Sequence, residues 1–128
     1  MREINRKIKT FRLTVTEPKE RVALDSETDK LFEIVDGIKA IVSNDESKYG
    51  STLQLAINEE EIFPEGFDIL NITSSEDCPV DKRFYTDNGN LQIPAKGSTI
   101  KIRYQDGGVG KDKSYPYNVS IIIAQKRN

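Results

Sequence analysis

The stretch GSTLQLAINEEEIFPEGFDIL, residues 50–70, decides the fold class. Leu53, Leu55 and Ile57 alternate with polar or small neighbours, and this period of two is typical of a strand with one buried face. The polar run at 58–61 predicts a turn in water. Pro64 lacks an N–H and cannot sit inside a central ladder, so the chain is predicted to turn or bulge there before a second strand at 67–72.

A partial repeat of this stretch occurs later in the chain. GSTLQL at 50–55 resembles GSTIKI at 97–102, and each is followed by a polar turn and an aromatic–proline pair. Two interpretations stay open: two related hairpins that face each other as halves of a sandwich, or ordinary turn chemistry before a strand. Under both interpretations, the two aromatic–proline pairs and the glycine of the first turn are predicted to fix the shape of the fold. These architectural residues are Phe63, Pro64, Gly66, Tyr115 and Pro116.

The rest of the chain continues the pattern of short strands between turn residues. Asp36-Gly37 lies between two apolar runs and favours a hairpin; one long strand with a glycine bulge is the alternative. Asn88-Gly89 predicts a second tight hairpin, between strands at 84–86 and 91–93. No segment has a convincing helical period. We therefore predict an all-β fold of about eight strands, an antiparallel two-sheet sandwich with jelly-roll character.

Length and composition limit the possible functions. The chain has 128 residues, no histidine and a single cysteine, Cys78. Such a length suits one domain, predicted at 11–128. The lack of histidine excludes Ser-His-Asp and Cys-His mechanisms, and one cysteine excludes an internal disulfide and a structural zinc site. The carboxylate runs lack the spacing of a calcium loop. No cofactor, metal or catalytic residue is predicted.

The charge is unevenly distributed. Residues 1–12 contain five basic residues and Glu3, a local charge of +4. Because the net charge of the chain is −2, the other 116 residues together carry −6. Residues 1–10 are predicted to be either a basic N-terminal arm or a first strand with a solvated basic face. In the arm interpretation the predicted assembly contacts are Arg2, Arg6, Lys7, Lys9 and Arg12.

Aromatic and basic residues in the strands suggest one candidate surface for nucleic acid. Four tyrosines accompany Lys101 and Arg103, and they are Tyr85, Tyr104, Tyr115 and Tyr117. The body is acidic, however, and the tyrosines occupy strand positions where they would pack. Direct nucleic-acid contact is therefore not predicted.

Four segments carry a family resemblance. EIFPEGFDIL, RFY, GSTIKIRYQDGG and YPYNVSIII resemble small uncharacterised all-β proteins encoded by Bacteroidetes and their phages, over about residues 31–125. The resemblance implies a capsid-associated or head-fibre component located in the virion; the alternative location is the bacterial cytoplasm.

Two functions are predicted. The first is a non-enzymatic virion structural protein that self-associates as a homo-oligomer and docks onto other virion proteins, without membrane contact. The alternative is a monomeric binding module for glycan or peptide that uses the loops at 106–114 and 74–79.

Overall fold

The computed structural model describes residues 6–43, 47–73, 84–87, 90–95, 97–108 and 115–127. These residues form eight strands and one short 3₁₀ helix, η1. The strands are β1 (Arg6–Val15), β2 (Arg21–Glu27), β3 (Ile34–Val42), β4 (Thr52–Ile57), β5 (Glu60–Phe63), β6 (Ile93–Pro94), β7 (Thr99–Gln105) and β8 (Tyr117–Lys126), and η1 spans Ile69–Asn71. Residues 6–10, predicted as arm or first strand, lie in β1.

The strands form two antiparallel four-stranded sheets that pack face to face. The first sheet has the order β1-β8-β3-β6 and the second has the order β2-β7-β4-β5. The first strand pairs with the last, the second with the seventh, the third with the sixth and the fourth with the fifth. This nesting is that of one long hairpin rolled into two sheets, the jelly roll. The predicted fold class is confirmed.

The core fills the space between the sheets because alternate residues of each strand point inward. Central positions such as Val15, Leu55, Ile102 and Ile121 are fully buried. Full burial of one such side chain contributes roughly 1.5–3 kcal/mol of transfer free energy. The core therefore supplies most of the driving force that closes the roll.

The favoured hairpin at Asp36-Gly37 is wrong, and the alternative, one long strand with a bulge, is what forms. Val35 pairs with Gln125 and Gly37 pairs with Ala124, so Asp36 is the extra residue of a β-bulge. A type I′ turn needs positive φ at both central residues, and neither Asp36 nor Gly37 has one. A side chain at Gly37 would also crowd Phe84, whose Cβ would be 3.3 Å away.

The strand predicted at 67–72 is also wrong. Asp68 makes only an isolated bridge with Thr52, and the chain then enters η1. The Asp68 carboxylate accepts a hydrogen bond of 2.9 Å from the Leu70 N–H. This local bond caps the turn and competes with strand pairing. The turn before β5 is tighter than predicted, because Asn58 and Glu59 alone have left-handed backbones there.

Later predictions have mixed outcomes. Tyr85 pairs with Ile38 only as an isolated bridge, and β6 is two residues long. Asn88-Gly89, Cys78 and the loop at 74–79 lie outside the described residues. The two repeats start β4 and β7, which are neighbours in one sheet. The interpretation of facing sandwich halves is therefore wrong, and turn chemistry explains the repeat.

Four of the connections between strands lie together at one end of the sandwich, where the candidate site is found. In a nested roll, the connections β1–β2, β3–β4, β5–β6 and β7–β8 all emerge at the same end. Hydrogen bonds between them agree: Asp106 N–H donates to Glu20 O, and Ile69 N–H donates to Ser51 O.

Candidate functional site

A shallow groove lies on the outer face of the second sheet. Its volume is about 380 Å³. We call it the arginine groove, and its lining includes Arg21, Gln54, Glu65, Arg103 and Gln105. Strand β7 runs through the middle, with Arg103 opposite Ala23 on β2 and Gln54 on β4. The short side chain of Ala23 leaves the space that the longer neighbours enclose.

The two guanidinium groups of the arginine groove hold exposed partners. Arg21 Nε donates to Gln105 Oε1 at 2.5 Å, and its Nη2 lies 3.0 Å from Glu65 Oε1. Arg103 Nη1 donates to Asp25 Oδ1 at 2.6 Å and to the Ile102 carbonyl at 2.9 Å. The hydrogen bond from Arg103 lowers the pKa of Asp25, against the small effect of burial.

These ion pairs are easily exchanged. The Arg21 and Glu65 side chains are 73% and 74% exposed, and those of Arg103 and Asp25 are 41% and 58% exposed. Exposed pairs of this kind contribute about 0–1 kcal/mol each. A ligand with a carboxylate or neighbouring hydroxyls could therefore replace either partner at low cost, using the guanidinium donors and the amide of Gln54.

A buried carboxylate lies beside one end of the groove. Asp106 follows β7 and is 1% exposed. Its Oδ1 accepts a hydrogen bond from the Tyr117 hydroxyl at 2.5 Å, and its Oδ2 accepts from the Tyr115 hydroxyl at 2.6 Å. The backbone N–H groups of Lys19 and Gly108 also donate to Oδ2, at 2.8 and 3.0 Å. We call Asp106 and these four donors the Asp106 cluster.

The cluster keeps its aspartate ionised. Burial acts to raise the pKa of Asp106, but the hydrogen bonds from Tyr115, Tyr117, Lys19 and Gly108 outweigh it, so the pKa is lowered. Burial and the bond to Asp106 raise the pKa of Tyr115 to about 12. The same causes raise the pKa of Tyr117. The hydroxyls therefore remain protonated donors at neutral pH.

The Asp106 cluster joins three of the connections at this end. Lys19 belongs to the β1–β2 turn and Tyr115 precedes β8. Gly107 N–H donates to Ser51 Oγ at 3.1 Å, in the β3–β4 connection. Gln105 Nε2 donates to the Lys19 carbonyl at 2.7 Å and so links the cluster to the groove. Every carboxylate oxygen has donors, so the cluster positions the loops and the groove wall.

Sequence reasoning missed Asp106. Position 106 begins the predicted binding loop 106–114, of which residues 109–114 lie outside the described part. The available signal was the spacing Tyr115-x-Tyr117 at the start of β8. Two tyrosines on one side of a strand, facing an aspartate that ends the preceding strand, indicate a shared acceptor.

The predicted architectural residues have different environments. Phe63 is buried and stacks on Phe67, with ring centroids 4.1 Å apart. Gly66 has φ +89° at the rim of the groove, a conformation that favours glycine. Tyr115 joins the Asp106 cluster, whereas Pro64 and Pro116 are exposed.

The predicted assembly contacts are also separated by the structure. Lys7 Nζ lies 2.7 Å from Asp29 Oδ2, and Lys9 Nζ donates to the Glu27 carbonyl at 2.6 Å. Both side chains therefore reach from β1 toward the second sheet. Arg12 points to the outer face and is exposed. Arg6 lies in β1 and Arg2 falls outside the described residues.

The outer face of the first sheet combines apolar and basic side chains. Ile8 is 52% exposed and Ile41 is 45% exposed. Arg12 and Ile41 both lie opposite Ser120, one on each side of β8, and Lys39 lies opposite Ile122. We call this surface the basic–apolar face, with residues Ile8, Arg12, Lys39, Ile41 and Ile122. Its composition contrasts with the balanced charges of the arginine groove.

The tyrosines do not form a stacking surface with Lys101 and Arg103. Tyr104 and Tyr117 are buried, and their hydroxyls lie 2.9 Å apart. Within the described residues, no group of three or more cysteines or carboxylates is placed to hold a metal ion, and no helix is long and apolar enough to cross a membrane.

Comparison of the chain with family models, curated proteins and solved structures gives no match. The function is therefore argued from the residues themselves.

Proposed function

We propose that this protein is a non-enzymatic structural subunit of a virion, which acts by self-association and by docking onto other virion proteins. The observation that carries the proposal is the strand order, β1-β8-β3-β6 packed on β2-β7-β4-β5. Viral capsid domains are among the protein classes that use this roll. The support is an analogy at the level of fold, because the same roll also serves lectins and cupins.

The basic–apolar face supplies a second argument. Exposed apolar patches commonly mark interaction surfaces. On this face Ile8 and Ile41 lie on opposite sides of β8, with the half-buried Ile122 on the strand between them. Here Ile8 and Ile41 are accompanied by the cations Arg12 and Lys39 on a chain whose net charge is −2. An acidic surface on another copy or another virion protein would complement this face.

Light scattering coupled to size-exclusion chromatography tests self-association. We expect species larger than a monomer at micromolar concentration and physiological salt. The double variant Arg12→Glu, Lys39→Glu should shift the distribution toward monomer, because it reverses the charge of the basic–apolar face. Lys101→Glu is the matched control, since Lys101 is exposed on the opposite sheet. A wild-type protein that stays monomeric to high concentration would refute the proposal.

The arginine groove favours a second candidate, a monomeric module that binds glycan or peptide. The groove is next to the start of the predicted binding loop 106–114, because Gln105 lines the groove and is followed directly by Asp106. Glycan and peptide arrays would test it. Binding should be lost in Arg103→Ala and retained in Lys101→Ala, a variant on the same strand and face but outside the groove. Binding that survives Arg103→Ala would remove the groove from this role.

A further inference from the structure

The four edge strands of the sandwich are not equally protected. β6 has two residues and contains Pro94, and β5 has four residues with a bulge opposite β4. Short strands, prolines, bulges and charged side chains discourage a sheet edge from pairing with another chain. β2 has seven residues and a continuous register with β7.

β1 is the longest edge strand, with ten residues, no proline and an unbroken register with β8 from Arg6 to Val15. β1 also carries charges, but its Lys7 and Lys9 contact Asp29 and the Glu27 carbonyl of their own chain. Within the described residues, no strand pairs with its second edge.

The opposite edge of the first sheet shows the contrast. The outer edge of β3 pairs with β6, then exchanges hydrogen bonds between Ile38 and Tyr85, and then donates from Ala40 N–H to the Ile72 carbonyl. Successive segments thus satisfy the backbone of β3. The backbone of β1 has no such cover in the described chain, so its outer edge can accept a partner strand.

We propose that β1 pairs antiparallel with β1 of a second copy, about a two-fold axis at Thr10, and joins two sheets into one of eight strands. This inference rests on the proposed self-association and adds a contact between copies at the β1 edge, distinct from the basic–apolar face. The core faces must stay on the same side of the joined sheet. Directly opposed residues then share a face, so their numbers are both odd or both even and their sum is even. The two-fold axis therefore lies between the two copies of a single residue.

Charge selects among the allowed registers. An axis at Lys9 opposes Lys9 to its own copy and Arg6 to Arg12, and an axis at Arg12 opposes two arginines. Like charges directly opposite each other destabilise a strand pair. An axis at Thr10 opposes no like charges over residues 6–14. The basic residues of β1 therefore restrict its pairing to few registers.

Two contacts favour Thr10 over a neighbouring axis at Phe11. With the axis at Thr10, Ile8 lies opposite Arg12 of the second copy, whose aliphatic stem can cover the exposed isoleucine. Lys9 lies opposite Phe11, and its Nζ already lies 5.6 Å from the ring of Phe11 in its own chain. With the axis at Phe11, Ile8 would face only Thr14.

Disulfide crosslinking tests the register directly. In a Cys78→Ser background, Thr10→Cys places two cysteines opposite each other, with Cα atoms about 5 Å apart. Thr14→Cys is the matched control, because it is the same residue type on the same exposed face of β1. Its two copies would lie roughly 27 Å apart, eight residues along the strand. We expect a covalent dimer from Thr10→Cys and none from Thr14→Cys.

A pair of substitutions at Ile8 provides a second test without a crosslink. The pairing opposes residue 8 to Arg12 twice in each dimer. Ile8→Glu should tighten the dimer and Ile8→Lys should weaken it, each by about fivefold in dissociation constant, because cross-strand charge pairs are worth several tenths of a kcal/mol each. Ile8 is half-exposed, so both variants should remain folded.

The outcomes separate this inference from the function on which it rests. A wild-type monomer would overturn both. Oligomers that fail to crosslink through Thr10→Cys, or that respond equally to Ile8→Glu and Ile8→Lys, would overturn the β1 interface and leave self-association intact.

Discussion

The Asp106 cluster and the arginine groove are adjacent polar regions with opposite properties. The carboxylate of Asp106 is buried, and both of its oxygens accept hydrogen bonds from fixed donors. The charges of the groove are exposed, and each arginine holds a partner that water or a ligand could replace. The difference shows how burial separates the two roles. The buried carboxylate of Asp106 holds loops together, whereas the exposed charges of the groove remain available for binding.

Asp106→Ala should give the largest effect in this comparison. It would leave two tyrosine hydroxyls and two backbone N–H groups without their acceptor. We expect a loss of about 3–5 kcal/mol in the free energy of unfolding, the range for removing one member of a buried charged network. Urea denaturation would measure it. A loss below 1 kcal/mol would mean that water replaces the carboxylate and that the cluster is dispensable.

Gly107→Ala should rank second. A Cβ at Gly107 would lie 2.5 Å from the carbonyl carbon of Gly50, which is backbone and cannot move aside cheaply. We expect a cost of about 2–3 kcal/mol by thermal denaturation. Gly66→Ala is the comparison at the groove rim. A Cβ there would have no neighbour within 4 Å, so only its positive φ should cost stability, about 1 kcal/mol. Equal losses would contradict the contrast.

The acid dependence of stability should also trace to the cluster. The pKa of Asp106 lies below its ordinary value of 3.8 in the folded protein. The ionised form therefore stabilises the fold fully above about pH 5, and this contribution is lost as the pH falls through 3.8 toward the folded-state pKa. The stability difference between wild type and Asp106→Asn should shrink over that window. Asp25 and Asp29, whose pKa values are also lowered, titrate in both proteins.

Arg103→Ala should give the smallest effect. Its partner Asp25 is exposed, so we expect a change of less than about 0.5 kcal/mol in unfolding free energy. The same variant should abolish ligand binding if the groove is a binding site. A loss of several kcal/mol would show that the groove, like the cluster, serves the fold.

Local patterns in the sequence predicted much of the fold. The alternation at Leu53, Leu55 and Ile57 identified β4, and similar alternations identified β1, β7 and β8, because the sandwich core imposes a period of two. Gly37 was ambiguous, since Asp-Gly suits both a turn and a bulge, and pairing with β8 decided between them. The turn at Asp68 was missed because one side-chain hydrogen bond outweighed an apolar alternation.

The candidate sites were harder to predict than the strands. The arginine groove depends on β2 and β4 flanking β7. These two pairings join residues that are 43 to 84 positions apart in the sequence, such as Ala23 with Arg103 and Thr52 with Gln105. The Asp106 cluster depends in addition on backbone donors at Lys19 and Gly108. Backbone donors leave no trace in residue identity, so only the fold reveals them.

The nested strand order has a consequence for the path of folding. β4 and β5 are separated by two residues, whereas Arg6 of β1 pairs with Lys126 of β8. The entropy cost of closing a loop rises with its length, and distant pairings slow folding. We therefore expect the β4–β5 hairpin to form the folding nucleus. The strand pairs further apart in the sequence should form later, and β1 and β8 should pair last. Substitutions in β4 should slow refolding, and those in β1 should mainly accelerate unfolding.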